Sequence, residues 1–199
     1  RRCDCFLPVL CMALASLFSL HGVEKPADAG TVPVTPSAQR NSLGVLFHEI
    51  PGMPVLFSAT ETRVSDWAAF LADTKYEWSF KPHFTQSGDH PVVNVNLKDA
   101  LAFCDWLTQK ERALGLLTQL QSYRLPTSRE WDGAVGLASS PSDERATSQK
   151  VIDEQSFPWG LEWPPPKGAG NFNSVEIDGS DDGFAFTAPV GSFSSAKVG

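Results

Sequence analysis

The densest set of oxygen donors in the sequence is the stretch 171–184, NFNSVEIDGSDDGF. Asp178, Asp181 and Asp182 crowd beside Gly179 and Gly183, with Asn171 and Asn173 just upstream. Carboxylates, amide oxygens and carbonyls on a Gly-rich loop are the ligands a hard cation such as calcium takes. The spacing is not that of an EF-hand loop, and a solvated acidic turn has the same composition. Both readings stand on residue types alone.

Other chemistry is sparse. The sequence holds no G-x-S-x-G, no H-E-x-x-H, no phosphate loop and no paired C-x-x-C. His48, His83 and His90 are scattered and read as loop or surface groups. Cys104 falls on an apolar helix face, as a core thiol or one half of a disulfide. A reactive thiolate needs positive charge nearby, and its helix offers Asp99 and Asp105 instead. Arg124, just ahead of Leu125 and Pro126, reads as a structural ion-pair or carbonyl-binding residue. Its expected partner is Glu61 or a later acid, because Glu130 is assigned to a helix cap. No catalytic residue follows from types and spacing.

The balance of charge narrows the partners. The net charge is -7 and the pI about 5.0, which excludes a basic footprint for nucleic acid and any pull toward anionic membrane. A length of 199 residues suits one domain. Gly and Pro, 15 each, favour a loop-rich fold over a helical bundle.

The elements that must position these residues follow from local pattern. Two arginines precede an apolar run from Phe6 to Leu20, the length of a signal h-region and short for a membrane helix. With "ADA" at 27–29 as a cleavage site, residues 1–29 are expected to be an incomplete secretory signal. Export to the periplasm, the extracellular space or the secretory pathway follows, with membrane contact only if the signal stays uncleaved. Cys3, Cys5 and Cys11 would leave with it, so Cys104 would be the odd cysteine of the mature domain. Residues 30–40 read as a linker, and the domain is expected over 41–199.

"GVLFHEIPGMPVLFSATETRV" predicts a hairpin turning at "PGMP". Ser65 and Asp66 are expected to open a short helix carrying Trp67, Phe70 and Leu71 on one face. Residues 77–91 read as an irregular loop packed by its own rings, and "VVNV" as a short strand or extended lead-in. Asn96 and Asp99 form a capping pair ahead of a helix whose inner face is expected to be Leu97, Leu101, Cys104 and Leu107. Thr127 and Glu130 form a second box, T-x-x-E, after Pro126. Trp131 is expected to anchor that helix in the core, and Gly133, worth up to about 1 kcal/mol against Ala, to keep it short. The polar run from Ser139 reads as a mobile insertion, and the segment ending in "FAFTAPVGSF" as finishing in a strand.

"YRLPTSREWDGAVG" resembles the R-L-P-T-E-x-E-W-E-x-A signature of the formylglycine-generating enzyme, or sulfatase-modifying factor, family. Further blocks are similar and in order. They are "NSLGVLFHEIPG", "ETRVSDWAAF", "HPVVNVNLKDALAFCDWL", "FPWG", "GNFN" and "DGFAFTAPVGSF". Together they cover 41–199. Ser128 departs from the usual acid after R-L-P-T, and Asn96-Leu97 from the usual Ser-Trp.

The resemblance implies an α+β fold, loop-rich and C-type-lectin-like. It implies calcium held by the Asn171 side chain, the Phe172 carbonyl, the Asp182 carboxylate and the Phe184 carbonyl. It implies oxidation of a sulfatase cysteine to formylglycine by copper held on a cysteine pair, a soft thiolate set that suits Cu(I). The family pattern continues past A-P-V-G-S-F, so the domain is expected to be truncated at its C-terminus, with the copper-binding pair and a second calcium site beyond Gly199. Such a fragment is expected to be poorly stable alone. Cys104 matches a helix cysteine that in some members pairs with a late cysteine, not a catalytic one. The implied partner is a sulfatase or other polypeptide. The alternative is a non-catalytic lectin-like binding or scaffold module. An auxiliary domain of a sulfoxide synthase would need a histidine-rich bundle upstream, against which the signal and linker argue.

Overall fold

The predicted hairpin is the frame of the sheet. In the computed structural model, residues 15–17, 39–135, 157, 159–172, 177 and 182–194 are described. Strand β3, Leu46–Glu49, and strand β4, Val55–Ser58, pair antiparallel, with Phe47 opposite Ser58 and Glu49 opposite Leu56. Between them Gly52 takes φ +77°, a left-handed conformation that L side chains rarely adopt. The Met53 N–H closes the turn on the Ile50 carbonyl at 3.0 Å.

Strand β2, Gln39–Arg40, pairs with β3 on the outer side. Strand β1, Ala15–Leu17, pairs with β4 and with β5, Tyr123–Arg124. The order is β2-β3-β4-β1-β5 and every pairing is antiparallel. β1 falls within the run that reads as a signal. With helices α1, Val64–Thr74, α2, Leu97–Ala113, and α3, Ser128–Ala134, the chain is mixed helix and antiparallel sheet, the α+β class.

Period-two alternation splits β4 between two cores. Leu56 joins the main cluster with Val45, Phe47, Phe103 and Tyr123. Val55 and Phe57 face a smaller cluster with Ile50, Met53 and Ala134. α1 and α2 meet through rings. Trp67 stacks on Phe103 at 5.6 Å, and Phe70 meets Phe103 edge-on at 5.7 Å. Each such buried ring contributes about 1.5–3 kcal/mol.

The observed inner face of α2 is Ala100, Phe103, Cys104, Leu107, Thr108 and Glu111. Cys104 and Leu107 are inward as expected, but Leu97 is 60% and Leu101 45% exposed. The stripe is rotated because Phe103 fills the aromatic contact with α1 and Asp99 turns inward to accept the Tyr76 hydroxyl at 2.9 Å. Residues 77–91 pack on the core rather than only on themselves. Trp78 meets Trp67 at 5.8 Å, and Phe84 stacks on Phe186 at 4.2 Å. Val92 and Val93 are buried in extended backbone, tied by the Val92 N–H to the Thr62 carbonyl. Loop carbonyls also serve α1, whose Val64 and Ser65 N–H groups donate to His90 and Gly88.

Two expectations fail near the end of the chain. Trp131 is 38% exposed and no residue of α3 is buried. The helix leans on the hairpin turn by one edge, with the Trp131 ring 5.9 Å from Phe57. Gly133 permits that approach, since a Cβ there would lie 2.5 Å from the Met53 methyl and 3.3 Å from Ile50 Cγ2. The segment 182–194 forms no strand and is held by side-chain and loop contacts instead. The polar run at 139–155 lies outside the described residues. No helix among the described residues is long and apolar enough to cross a membrane.

Candidate functional site

The signature segment is built around one carboxylate. Asn96 and Thr127 both begin helices with reciprocal caps, as their spacing predicts. At the second, Thr127 Oγ1 accepts from the Glu130 N–H at 3.3 Å, and Glu130 Oε2 accepts from the Thr127 N–H at 2.7 Å. The Arg124 guanidinium then donates to both oxygens of the same Glu130, Nη1 to Oε2 at 2.8 Å and Nη2 to Oε1 at 2.5 Å. Nη1 also donates to the Leu125 carbonyl. This corrects the expectation that the cap consumes Glu130 and sends Arg124 to Glu61 or a later acid. A carboxylate has about four acceptor sites, so capping one N–H leaves room for a bidentate arginine.

The electrostatics follow. Hydrogen bonding from Arg124, opposed by burial and helped by Thr127, lowers the Glu130 carboxyl to about 2. Arg124 is raised in turn by Glu130. The signature is therefore a latch between β5 and α3, with both charged groups committed to each other.

The proposed cation ligands come partly together. Asp182 Oδ2 accepts from the Phe172 N–H at 2.8 Å and Oδ1 from the Phe184 N–H at 2.9 Å. The Asp182 carboxylate thus holds two of the other three residues, Phe172 and Phe184, by their N–H groups. The Asn171 amide lies between Phe186 and Ala188. Oriented by those partners, it donates to the Phe186 carbonyl at 3.2 Å and accepts from the Ala188 N–H at 3.1 Å. Ring packing sets this segment in place, with Trp159 edge-on to Phe172 at 5.5 Å and stacked on Phe157 at 5.0 Å. The segment from Asp182 is held by the Val190 N–H on the Asp89 carbonyl and by Gln86 on Thr187.

Beside Asp182 and Phe172 is a cavity of about 10 Å³, bounded also by Lys167. That is room for one small atom. Each Asp182 oxygen keeps a free lone pair, so the residue types fit a hard cation. Asn173, Asp178 and Asp181 lie outside the described residues.

Cys104 is a free thiol, 3% exposed. Burial first, and then Asp105, pushes it up to about 12. Both effects disfavour the thiolate form that a nucleophile or a copper ligand needs. The histidines do not converge. His48 is on β3, His83 lies edge-on to Phe84 and Phe186, and His90 Nδ1 is 2.8 Å from Thr187 Oγ1. No group of three or more His, Cys, Asp or Glu able to hold a metal occurs among the described residues.

The bonding partners of two carboxylates, Asp66 and Glu111, are not legible in the sequence. Asp66 holds the Arg63 N–H and guanidinium, and that guanidinium donates to the Leu43 carbonyl. Glu111, 2% exposed, accepts the Ser42 N–H at 2.7 Å and the Tyr123 hydroxyl at 3.1 Å. Asp66 sits at the third helical position, where acids favour a helix start. Glu111 has no local marker, because a helical glutamate ordinarily faces solvent.

The model of the sulfatase-modifying factor enzyme 1-like domain matches residues 32–199. A formylglycine-generating enzyme from Thermomonospora curvata is 26% identical over 171 residues, covering 81% of this chain and 46% of the relative. One from Bos taurus is 29% identical over 110 residues, covering 53% of this chain and 22% of the relative. The chain thus spans about half the length, or less, of these curated relatives. No solved structure matches.

The latch has a pH signature. A carboxyl lowered on folding stabilises the fold fully above its ordinary value of 4.5, and that contribution is lost as pH falls toward about 2. Glu130→Gln should cost about 1–3 kcal/mol in urea denaturation at neutral pH. The gap between wild type and variant should close as pH falls from 4.5 to about 2. A gap independent of pH contradicts the latch.

Proposed function

The chain belongs to the sulfatase-modifying factor enzyme 1-like family, and on that premise we propose that it is the frame-forming part of a formylglycine-generating enzyme. The observation that carries this reading is the match of one continuous segment, 32–199, to that family, with two relatives that are both named for the activity. The reaction is oxidation of a cysteine in a sulfatase polypeptide to formylglycine. Copper supplies the oxygen chemistry when bound. It is assigned to residues outside this chain, since the buried Cys104 thiol does not fit it.

The roles of the chain's own residues are then positional. Arg124, Glu130 and Thr127 fix where β5 hands over to α3. The α+β frame is read as the C-type-lectin-like arrangement, in which long loops are carried on a small sheet. The leader-like N-terminus supports export, where sulfatases of the same compartment would be met.

Calcium is proposed at Asn171, Phe172, Asp182 and Phe184, as a structural ion that ties the 171–172 turn to 182–184. The Asp182 clamp supports this because it already gathers the backbone of Phe172 and Phe184 around one carboxylate.

Two experiments test these readings. The complete gene product and the 199-residue chain are each incubated with a sulfatase-motif peptide, copper and oxygen, and the aldehyde is detected by hydrazide labelling. Only the complete product should turn over. Turnover by the short chain contradicts the positional role, and none by either contradicts the enzyme reading. Separately, calcium at about 100-fold above Kd should raise the melting temperature by roughly 5–10 °C. Asp182→Asn should abolish the rise, and a wild-type chain indifferent to calcium sinks the metal proposal.

A further inference from the structure

We propose that the cavity between β2, β3 and the C-terminal end of α2 binds a primary ammonium group carried on an apolar stem. The cavity has a volume of about 320 Å³, within the range of small-molecule sites. Glu111 lines it and is 2% exposed. Both donors on this carboxylate, the Ser42 N–H and the Tyr123 O–H, are neutral.

Buried carboxylates are ordinarily paired with a cation. Arg63, Lys110 and Arg124 have their own acids, and no described cation lies within ion-pair distance of Glu111. Arg40 lines the same cavity, and its Nη1 donates to the Gly44 carbonyl at 2.7 Å. Each Glu111 oxygen keeps a free lone pair, so together they can accept two of the three N–H bonds of an ammonium. The remaining wall includes Phe47, Leu56 and Leu117, which suits a short alkyl stem. A neutral isostere would bury the same carbon without supplying the missing charge. The recognised chemistry is shared by a free alkylamine and by the side chain of a lysine.

Calorimetric titration of the chain with butylamine, 1-butanol and N-acetyl-lysine amide tests this. Butylamine should bind saturably and the alcohol at least about tenfold more weakly, a difference of about 1.4 kcal/mol. Lysine amide binding as tightly as butylamine assigns the site to a polypeptide, and weaker binding assigns it to a free amine. Glu111→Gln removes the charge, and Leu117→Trp fills the space without touching the carboxylate. Either should weaken amine binding at least about tenfold. If the Gln variant does not fold, the Trp variant decides. Equal binding of amine and alcohol, or amine binding that survives Leu117→Trp, overturns the proposal.

Discussion

A fold with short strands and long loops leaves many backbone N–H groups without a ladder partner, and an unpaired buried donor is costly. Here carboxylates take that role at recurrent points. Asp66 holds the Arg63 N–H, Asp99 the Asn96 N–H, Glu111 the Ser42 N–H, Glu130 the Thr127 N–H and Asp182 those of Phe172 and Phe184. All six bonds are 2.7–2.9 Å. Four of the acids also take a second group, from Arg63, Tyr76, Tyr123 or Arg124. The acidic composition is thus partly a scaffold, in which these acids satisfy helix starts and turns and, at Asp99 and Glu111, reach distant segments.

This constraint explains how the functional reading divides the chain. The conspicuous residues of the signature, Arg124, Thr127 and Glu130, are used up in one another. Cys104 is locked in the core as a thiol. Among the described residues, Asp182, whose carboxylate gathers two backbone N–H groups, and Glu111, which lines a cavity, keep acceptor capacity. Neither is a redox group. A frame of this kind fixes the ends of its long loops.

Local spacing made much of this legible. Both reciprocal caps are visible because their partners are three residues apart, and the hairpin because a turn joins two strands adjacent in sequence. Legibility ended where a residue's role is set by a distant partner. Leu97 and Leu101 fit the helical period, yet the aromatic contact of Phe103 with Trp67 fixed the phase of α2. Arg124 finds its acid in Glu130, because one carboxylate caps an N–H and still accepts a bidentate arginine. Glu111 is buried only because β2–β3 and β5 meet over it. The cation set was legible as a list of donor types. The Asp182 clamp, which draws three of those residues together, was not.

The central claim is that the signature works as a latch and not as chemistry, and a double-mutant cycle on Arg124→Gln and Glu130→Gln in the complete gene product tests it most directly. Stability by urea denaturation and peptide turnover per folded molecule are read on the same four proteins. The latch predicts a stability coupling of about 0.5–3 kcal/mol with turnover per folded molecule unchanged. A coupling near zero, together with turnover lost in well-folded enzyme, would contradict it.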